Sequence, residues 1–238
     1  TKVLDINQIF NCIECPWRLS LSQEDDEIRS FPELKVLLLS RLTKYYYGAL
    51  GRNGKVQLRD IRTRLGLLWS QVKPRVSFLI RPEHLLAIDS RAAGLMSHVP
   101  RTVIGTDYPL SLSYKDFDVE GLLDVLTFSQ THTLEGIWFD MGLAPTRESR
   151  DMAVLVKSWF FLNSLKRNAY KYASSFRIRV LRVLDGHYYY VSNKGNRQLS
   201  RMVKEMSKQV SDKGIPRASK SVCGPCSFNR SCEWSVIA

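Results

Sequence analysis

The sequence predicts an α/β protein, on three observations. Apolar residues recur at helical spacing through the first hundred residues. Beyond Pro100 the period shortens to that of strands, and a long apolar helix then separates three predicted strands from two more.

Residues 5–21 read as a short helix interrupted or ended near Pro16, because proline removes an N–H donor and disfavours the helical region for the residue before it. The acidic stretch SQEDDEIRS follows as a solvated loop. From Pro32 onward, Leu34, Leu37, Leu38, Leu42 and Tyr45 share one face of an amphipathic helix, with the proline suited to its first turn. After GRNG, a second helix carries Leu58, Ile61, Leu65, Leu68 and Trp69 on one side, and a third spans residues 82–97. RTVIGTDYPLSLSY, FDVEGLLDVLTF and TLEGIWFDMG are rich in β-branched and aromatic residues and parted by polar turns, so they read as an antiparallel meander. SRDMAVLVKSWFFLNSLKRNAYKY is a long apolar helix with a basic C-terminal half. The Asp-Gly between SFRIRVLRVL and HYYYVS signals a hairpin. A last helix carries Leu199, Met202, Val203, Met206 and Val210.

The composition, with 44% hydrophobic residues, is that of a globular chain. No apolar run approaches the ~20 residues a membrane helix needs, so no membrane association is expected. The formal charge of +12 exceeds what solubility requires and points to a polyanionic partner. A basic face that docks an acidic protein is the alternative. Basic runs lie in GRNGKVQLRDIRTR, KRNAYKY and FRIRVLR; the last two include Tyr or Phe, which suits a groove that tracks phosphates and stacks bases. No phosphate-binding G-x-x-x-x-G-K-[ST] loop occurs, and none of His84, His98, His132 and His187 pairs with a Ser or Cys as a nucleophile would require.

Five cysteines carry the next signal: Cys12 and Cys15 near the start, and Cys223, Cys226 and Cys232 within ten residues near the end. An odd count argues against a closed disulfide framework, and no secretory leader is read at the front, so the expected compartment is the reducing cytoplasm. Clustered thiolates there indicate a soft metal centre. Either a zinc site uses the two C-x2-C pairs, or an iron–sulfur cluster uses Cys223, Cys226, Cys232 and one of the N-terminal thiols.

NCIECPWRLSL at the front, VEGLLDVLTF and EGIWFDMG in the middle and C-x2-C-x5-C at the end together resemble the iron–sulfur branch of the PD-(D/E)XK nuclease superfamily. Within that branch the motifs look like those of CRISPR-associated exonucleases and RecB-type or AddB-type nuclease domains. The resemblance implies a [4Fe–4S] cluster held by Cys15, which precedes Pro16, with Cys223, Cys226 and Cys232, leaving Cys12 as the odd thiol. Such a cluster ties the two ends of the chain together. The implied organisation is a cluster module from residues 1–30 and 213–238, a helical region over 31–99 and a nuclease-like α/β core over 100–212.

Nucleases of this family hold Mg2+ or Mn2+ between two carboxylates, with a lysine to stabilise developing charge. The resemblance assigns the carboxylates to Asp124 in Gly121-x-x-Asp124 and to Asp140, and the lysine position falls on Gly142. The family's helix-borne histidine aligns with Ser40 or Arg41, and its Q-x-x-x-Y motif aligns with Lys157 to Phe161. Glycine cannot replace an ammonium, so catalysis loses electrostatic stabilisation unless Lys157 acts as a migrated lysine. Three readings follow. The favoured one is a DNA-binding scaffold with weak or lost nuclease activity, acting with protein partners in replication, recombination or a CRISPR-adaptation-like assembly on DNA with single-stranded ends. The second is an active Mg2+- or Mn2+-dependent single-strand exonuclease using Asp124, Asp140 and Lys157, and the third is a zinc-stapled protein-interaction module.

Overall fold

A computed structural model describes residues 2–7, 27–94, 102–115, 117–128, 132–141, 147–169, 171–191, 197 and 199–205. It is a mixed α/β structure built on one mixed sheet. In chain order its elements are β1 (Lys2–Asp5), α1 (Phe31–Asn53), α2 (Leu58–Val72), a 3-10 turn (Lys73–Arg75), α3 (Pro82–Gly94), β2 (Thr102–Ser113), β3 (Phe117–Phe128), β4 (Thr133–Asp140), α4 (Arg147–Ala169), β5 (Ser175–Arg182) and β6 (Tyr188–Tyr190). A helical stretch at 199–205 follows.

Local chemistry marks the helix ends. The hydroxyl of Ser30 accepts the Glu33 N–H, Pro32 occupies the first turn of α1, and Gly54 closes it with φ +70°, a left-handed conformation that costs glycine nothing. Asp60 accepts the Gln57 N–H at the start of α2 at 3.0 Å. The helices begin where the sequence places them, and α3 reaches Gly94 before the described residues break off.

The meander expected from the three strand-like runs is present: β2 pairs with β3 and β3 with β4, all antiparallel. The chain then crosses through α4 to lay β5 parallel to β4, a connection too long for a turn, and β6 returns antiparallel to β5. Gly186, at φ +68° in the turn between β5 and β6, supplies the positive φ that this return requires.

The front of the chain adds a strand that the sequence reading did not include. Residues 2–5 form β1 and residues 6–7 are helical, while the rest of the helix expected over 5–21 lies outside the described residues. Four residues are too few to show a strand period. β1 exists because it pairs in parallel with β3, Lys2 opposite Phe117 and Asp5 opposite Glu120, a partner that only the fold supplies.

Two apolar layers sandwich the sheet. On one face Val154, Val156, Phe160, Phe161 and Leu165 of α4, together with Leu199 and Val203, pack on Leu123, Leu134, Trp138, Ile178 and Val180. On the other, Leu38, Leu42, Tyr46 and Tyr47 of α1, with Ile61, Leu68 and Ile88, pack on Val125, Ile137, Phe139, Leu181 and Val183. All eight residues of β4 are buried, as expected of a strand covered on both sides. Trp138 donates its indole N–H to Ser158 at 2.9 Å, which satisfies the one polar atom that this large side chain takes inside. No helix among the described residues is long and apolar enough to cross a membrane.

Candidate functional site

The sheet has a notch at its centre. β2 follows β3 along one edge, but on the other edge β1 pairs only with Phe117–Glu120 and β4 only with Val125–Phe128. Among the described residues, no strand pairs with 121–124 on that edge. Because β1 runs parallel to β3 and β4 antiparallel, their C-terminal ends meet at this gap. Gly121 faces it, and a Cβ there would lie 2.4 Å from Cγ2 of Ile6, so glycine is what lets the residue after β1 close over β3.

Asp124 stands at the end of the notch. Its Oδ2 accepts the Phe139 N–H at 2.8 Å, taking a backbone donor just beyond the last β3–β4 pair, Val125 with Ile137. Its Oδ1 lies 3.2 Å from Nζ of Lys44 on α1. The same ammonium donates to Oδ1 of Asp107 at 2.5 Å. Asp107 sits on β2 between the pairs Thr106–Val125 and Tyr108–Leu123, across from Asp124, and holds φ +51°, which aspartate tolerates better than most residues. One lysine therefore bridges two carboxylates on adjacent strands. Burial lowers the Lys44 pKa, but hydrogen bonding and charge from Asp107 and Asp124 outweigh it and leave the net shift upward, so the group is an ammonium across the neutral range.

Lys44 also belongs to a hollow of about 430 Å3 between α1, α2 and β2, lined by Arg41, Lys44, Tyr45, Arg52 and Arg64 among others. Arg41, Lys44, Tyr45 and Arg52 share one face of α1, and Arg64 enters from α2 with its guanidinium 5.3 Å from the Tyr45 ring centroid. The Asp107–Lys44–Asp124 bridge leaves one net negative charge, against three further arginines. The hollow is an open, cationic surface that carries an aromatic ring.

Asp140 is 6% exposed. Strand alternation places it with Leu134 and Trp138 on the α4 face, away from Glu135, Ile137 and Phe139. It pairs in register with Arg182, whose pKa is raised first by its hydrogen bond to Asp185 and in smaller part by the charge of Asp140. Asp124 is thus tied to β4 through the Phe139 amide and pairs with Lys44, whereas Arg182 pairs with Asp185 at 2.9 Å and feels Asp140 as a nearby charge. Among the described residues no three His, Cys, Asp or Glu side chains gather as a cation site. Both Asp124 oxygens are engaged, one by the Phe139 amide and the other by Lys44.

Lys157 projects from α4 over the Trp138 ring at 4.9 Å and donates to Asn7 Oδ1 at 3.3 Å. Its ammonium therefore lies on the Asp140 face, beside the chain that leaves β1. Ser40, at the family's histidine position, is buried with its hydroxyl on the Leu37 carbonyl at 3.2 Å, whereas Arg41 lines the hollow. Glu135, on the opposite face of β4 from Asp140, is committed to Arg179 at 3.1 Å and to the Tyr190 hydroxyl at 3.1 Å. Glu120 is exposed. Gly142 and all five cysteines, Cys12, Cys15, Cys223, Cys226 and Cys232, lie outside the described residues.

Sequence reasoning missed Lys44 and Asp107. The stripe of Arg41, Lys44, Tyr45 and Arg52 at helical spacing is visible in the sequence, but nothing local says which strand it faces. Asp107 falls in a run otherwise read simply as strand, and its left-handed φ emerges only in the sheet.

No family model matches this chain, and no curated protein matches it. Among solved structures, one described as "Crystal structure of SSO0001" aligns over 99% of this chain and 88% of its own length at 12% identity, with a TM-score of 0.36. A likeness of that degree assigns neither fold nor function.

Proposed function

We propose that the protein binds nucleic acid, DNA with single-stranded character, on a PD-(D/E)XK-like core whose nuclease activity is weak or lost. The observation that carries this reading is the cationic hollow of Arg41, Arg52 and Arg64 around Tyr45, which opens beside Asp124 while Lys44 holds that carboxylate. Arginines track phosphates and a tyrosine face stacks bases regardless of sequence. Arg41 and Arg52 are exposed and available to a polyanion. The order α1, three-stranded meander, α4 and parallel β5 is consistent with such a core.

Loss of activity follows from the same contacts. A metal-dependent nuclease needs carboxylate oxygens open to the ion, and here one Asp124 oxygen serves a backbone amide and the other an ammonium. A second reading, a Mg2+- or Mn2+-dependent exonuclease using Asp124, Asp140 and Lys157, is favoured by the single fact that Lys157 lies over Trp138 on the Asp140 face. A [4Fe–4S] cluster on Cys15, Cys223, Cys226 and Cys232, and protein partners in a DNA-processing assembly, complete the proposal on the strength of the cysteine spacing.

The test is anaerobic purification with iron, sulfide and zinc analysis, then binding and Mn2+-supplemented cleavage of end-labelled single-stranded DNA. Iron with salt-dependent binding and no cleavage is expected. Cleavage abolished by Lys157→Ala would transfer the assignment to the second reading. Zinc alone would remove the cluster, and an absence of binding would remove the nucleic-acid reading.

A further inference from the structure

We infer that Lys44 is a built-in cation that takes the place of a divalent metal ion between Asp107 and Asp124, so that the native protein leaves this position closed to metal. The inference deepens the proposed reading and rests on it for the significance of Asp124, but it concerns the chain's own residues and adds Asp107, which the family motif does not contain.

Three features carry it. The two carboxylates come from the positions that lie between the Thr106–Val125 and Tyr108–Leu123 pairs of β2 and β3, so the sheet itself brings them near each other. Two like charges so placed repel unless a cation stands between them, and Lys44 Nζ does, at 2.5 Å from Asp107 and 3.2 Å from Asp124. Asp124 is further anchored by the Phe139 N–H, which fixes its second oxygen and prevents the carboxylate from swinging away. The lysine stem leaves α1 beside the hollow, and the residue is only partly exposed, with 37% of its side-chain surface accessible. An ammonium tethered at this point is always present at full occupancy, whereas a metal ion must give up its water and compete for oxygens already taken.

It follows that removing the ammonium while keeping the stem should turn a closed position into a cation site. In Lys44→Met the two carboxylates face each other without a counter-charge and should recruit a hard divalent ion.

The experiment uses the full chain and Mn2+ alone, with no nucleic acid, read by electron paramagnetic resonance of free Mn2+ and by the thermal midpoint. The wild type should show no Mn2+ binding that Asp107→Asn or Asp124→Asn removes. Lys44→Met should bind one Mn2+ and gain thermal stability as it does so, and the double variant Lys44→Met with Asp107→Asn should lose both effects. Binding by the wild type that Asp107→Asn or Asp124→Asn abolishes would overturn the inference, whatever the variants do. A folded Lys44→Met that ignores Mn2+ would overturn it equally. Either result can occur whether or not the protein binds DNA, so this test and that of the proposed function fail separately.

Discussion

Replacing Arg41, Arg52 and Arg64 together with alanine should flatten the salt dependence of single-stranded DNA binding. The magnitude follows from the hollow. Lys44 is already neutralised by Asp107 and Asp124, so it releases few counterions when a phosphate approaches. The three arginines have no carboxylate among the hollow's lining residues and should each engage about one phosphate. At about 0.7 counterions released per single-strand contact, they contribute about −2 to the slope of log affinity against log salt. Raising salt from about 50 to about 200 mM should then cost the wild type roughly twentyfold in affinity through these residues alone. The triple variant should keep only whatever slope arises elsewhere on the basic chain. Fluorescence anisotropy of a labelled oligonucleotide titrated at four salt concentrations measures both slopes, with circular dichroism to confirm that the variant is folded. Equal slopes for wild type and variant would refute the placement of nucleic acid in this hollow.

Three further outcomes test the structure around the site. Gly121→Ala drives a methyl to 2.4 Å from Ile6 Cγ2 and 3.0 Å from Phe160 Cε1, and urea unfolding should show a loss of about 1–3 kcal/mol; a change below about 0.5 kcal/mol would mean that β1 does not close over β3 as described. Arg179→Ala leaves Glu135, 8% exposed, with the Tyr190 hydroxyl as its remaining described partner, and should cost about 3 kcal/mol, much of it recovered in the double variant with Glu135→Leu. Above about pH 10 the protein should lose stability. Burial, with Tyr188 adding to it, raises the Tyr47 pKa above its ordinary 10.0, and Lys44 is raised above its ordinary 10.5. For both groups the folded state holds the proton more tightly, so their contribution is complete below the unfolded-state value and disappears as pH rises towards the folded-state value. Tyr47→Phe should flatten this alkaline decline in urea midpoints; an unchanged decline would show that the Tyr47–Tyr188 contact is not its source.

Much of the fold was legible because it rests on short-range patterns. The apolar stripe from Leu34 to Tyr45 specifies a helix wherever it packs, and the β-branched and aromatic runs over residues 102–140 specify strands that polar turns separate. Gly186 follows Asp185 in the turn between β5 and β6 because such a turn needs a residue at positive φ. Strand alternation likewise assigns Glu135 and Asp140 to opposite faces, because successive side chains of a strand point opposite ways and the two positions are an odd number of residues apart.

The candidate site was legible only in part, and the division follows the range of the interactions. Asp124 and Asp140 stand out as carboxylates in adjacent strands, and the sequence by itself determined their strands, their order and the basic character of the chain. Which cation Asp124 meets is a tertiary matter. Lys44 lies 80 positions before Asp124, and Asp107 comes opposite it only once β2 and β3 are in register. β1, too, is a strand only because β3 receives it, leaving the notch that Ile6 and Gly121 close. Periodicity encodes which face of an element is apolar, but not which charged residue on a distant element will reach a given carboxylate. That choice was made by the packing of α1 across the sheet, because an ammonium on a flexible stem settles wherever two anions and partial burial hold it best.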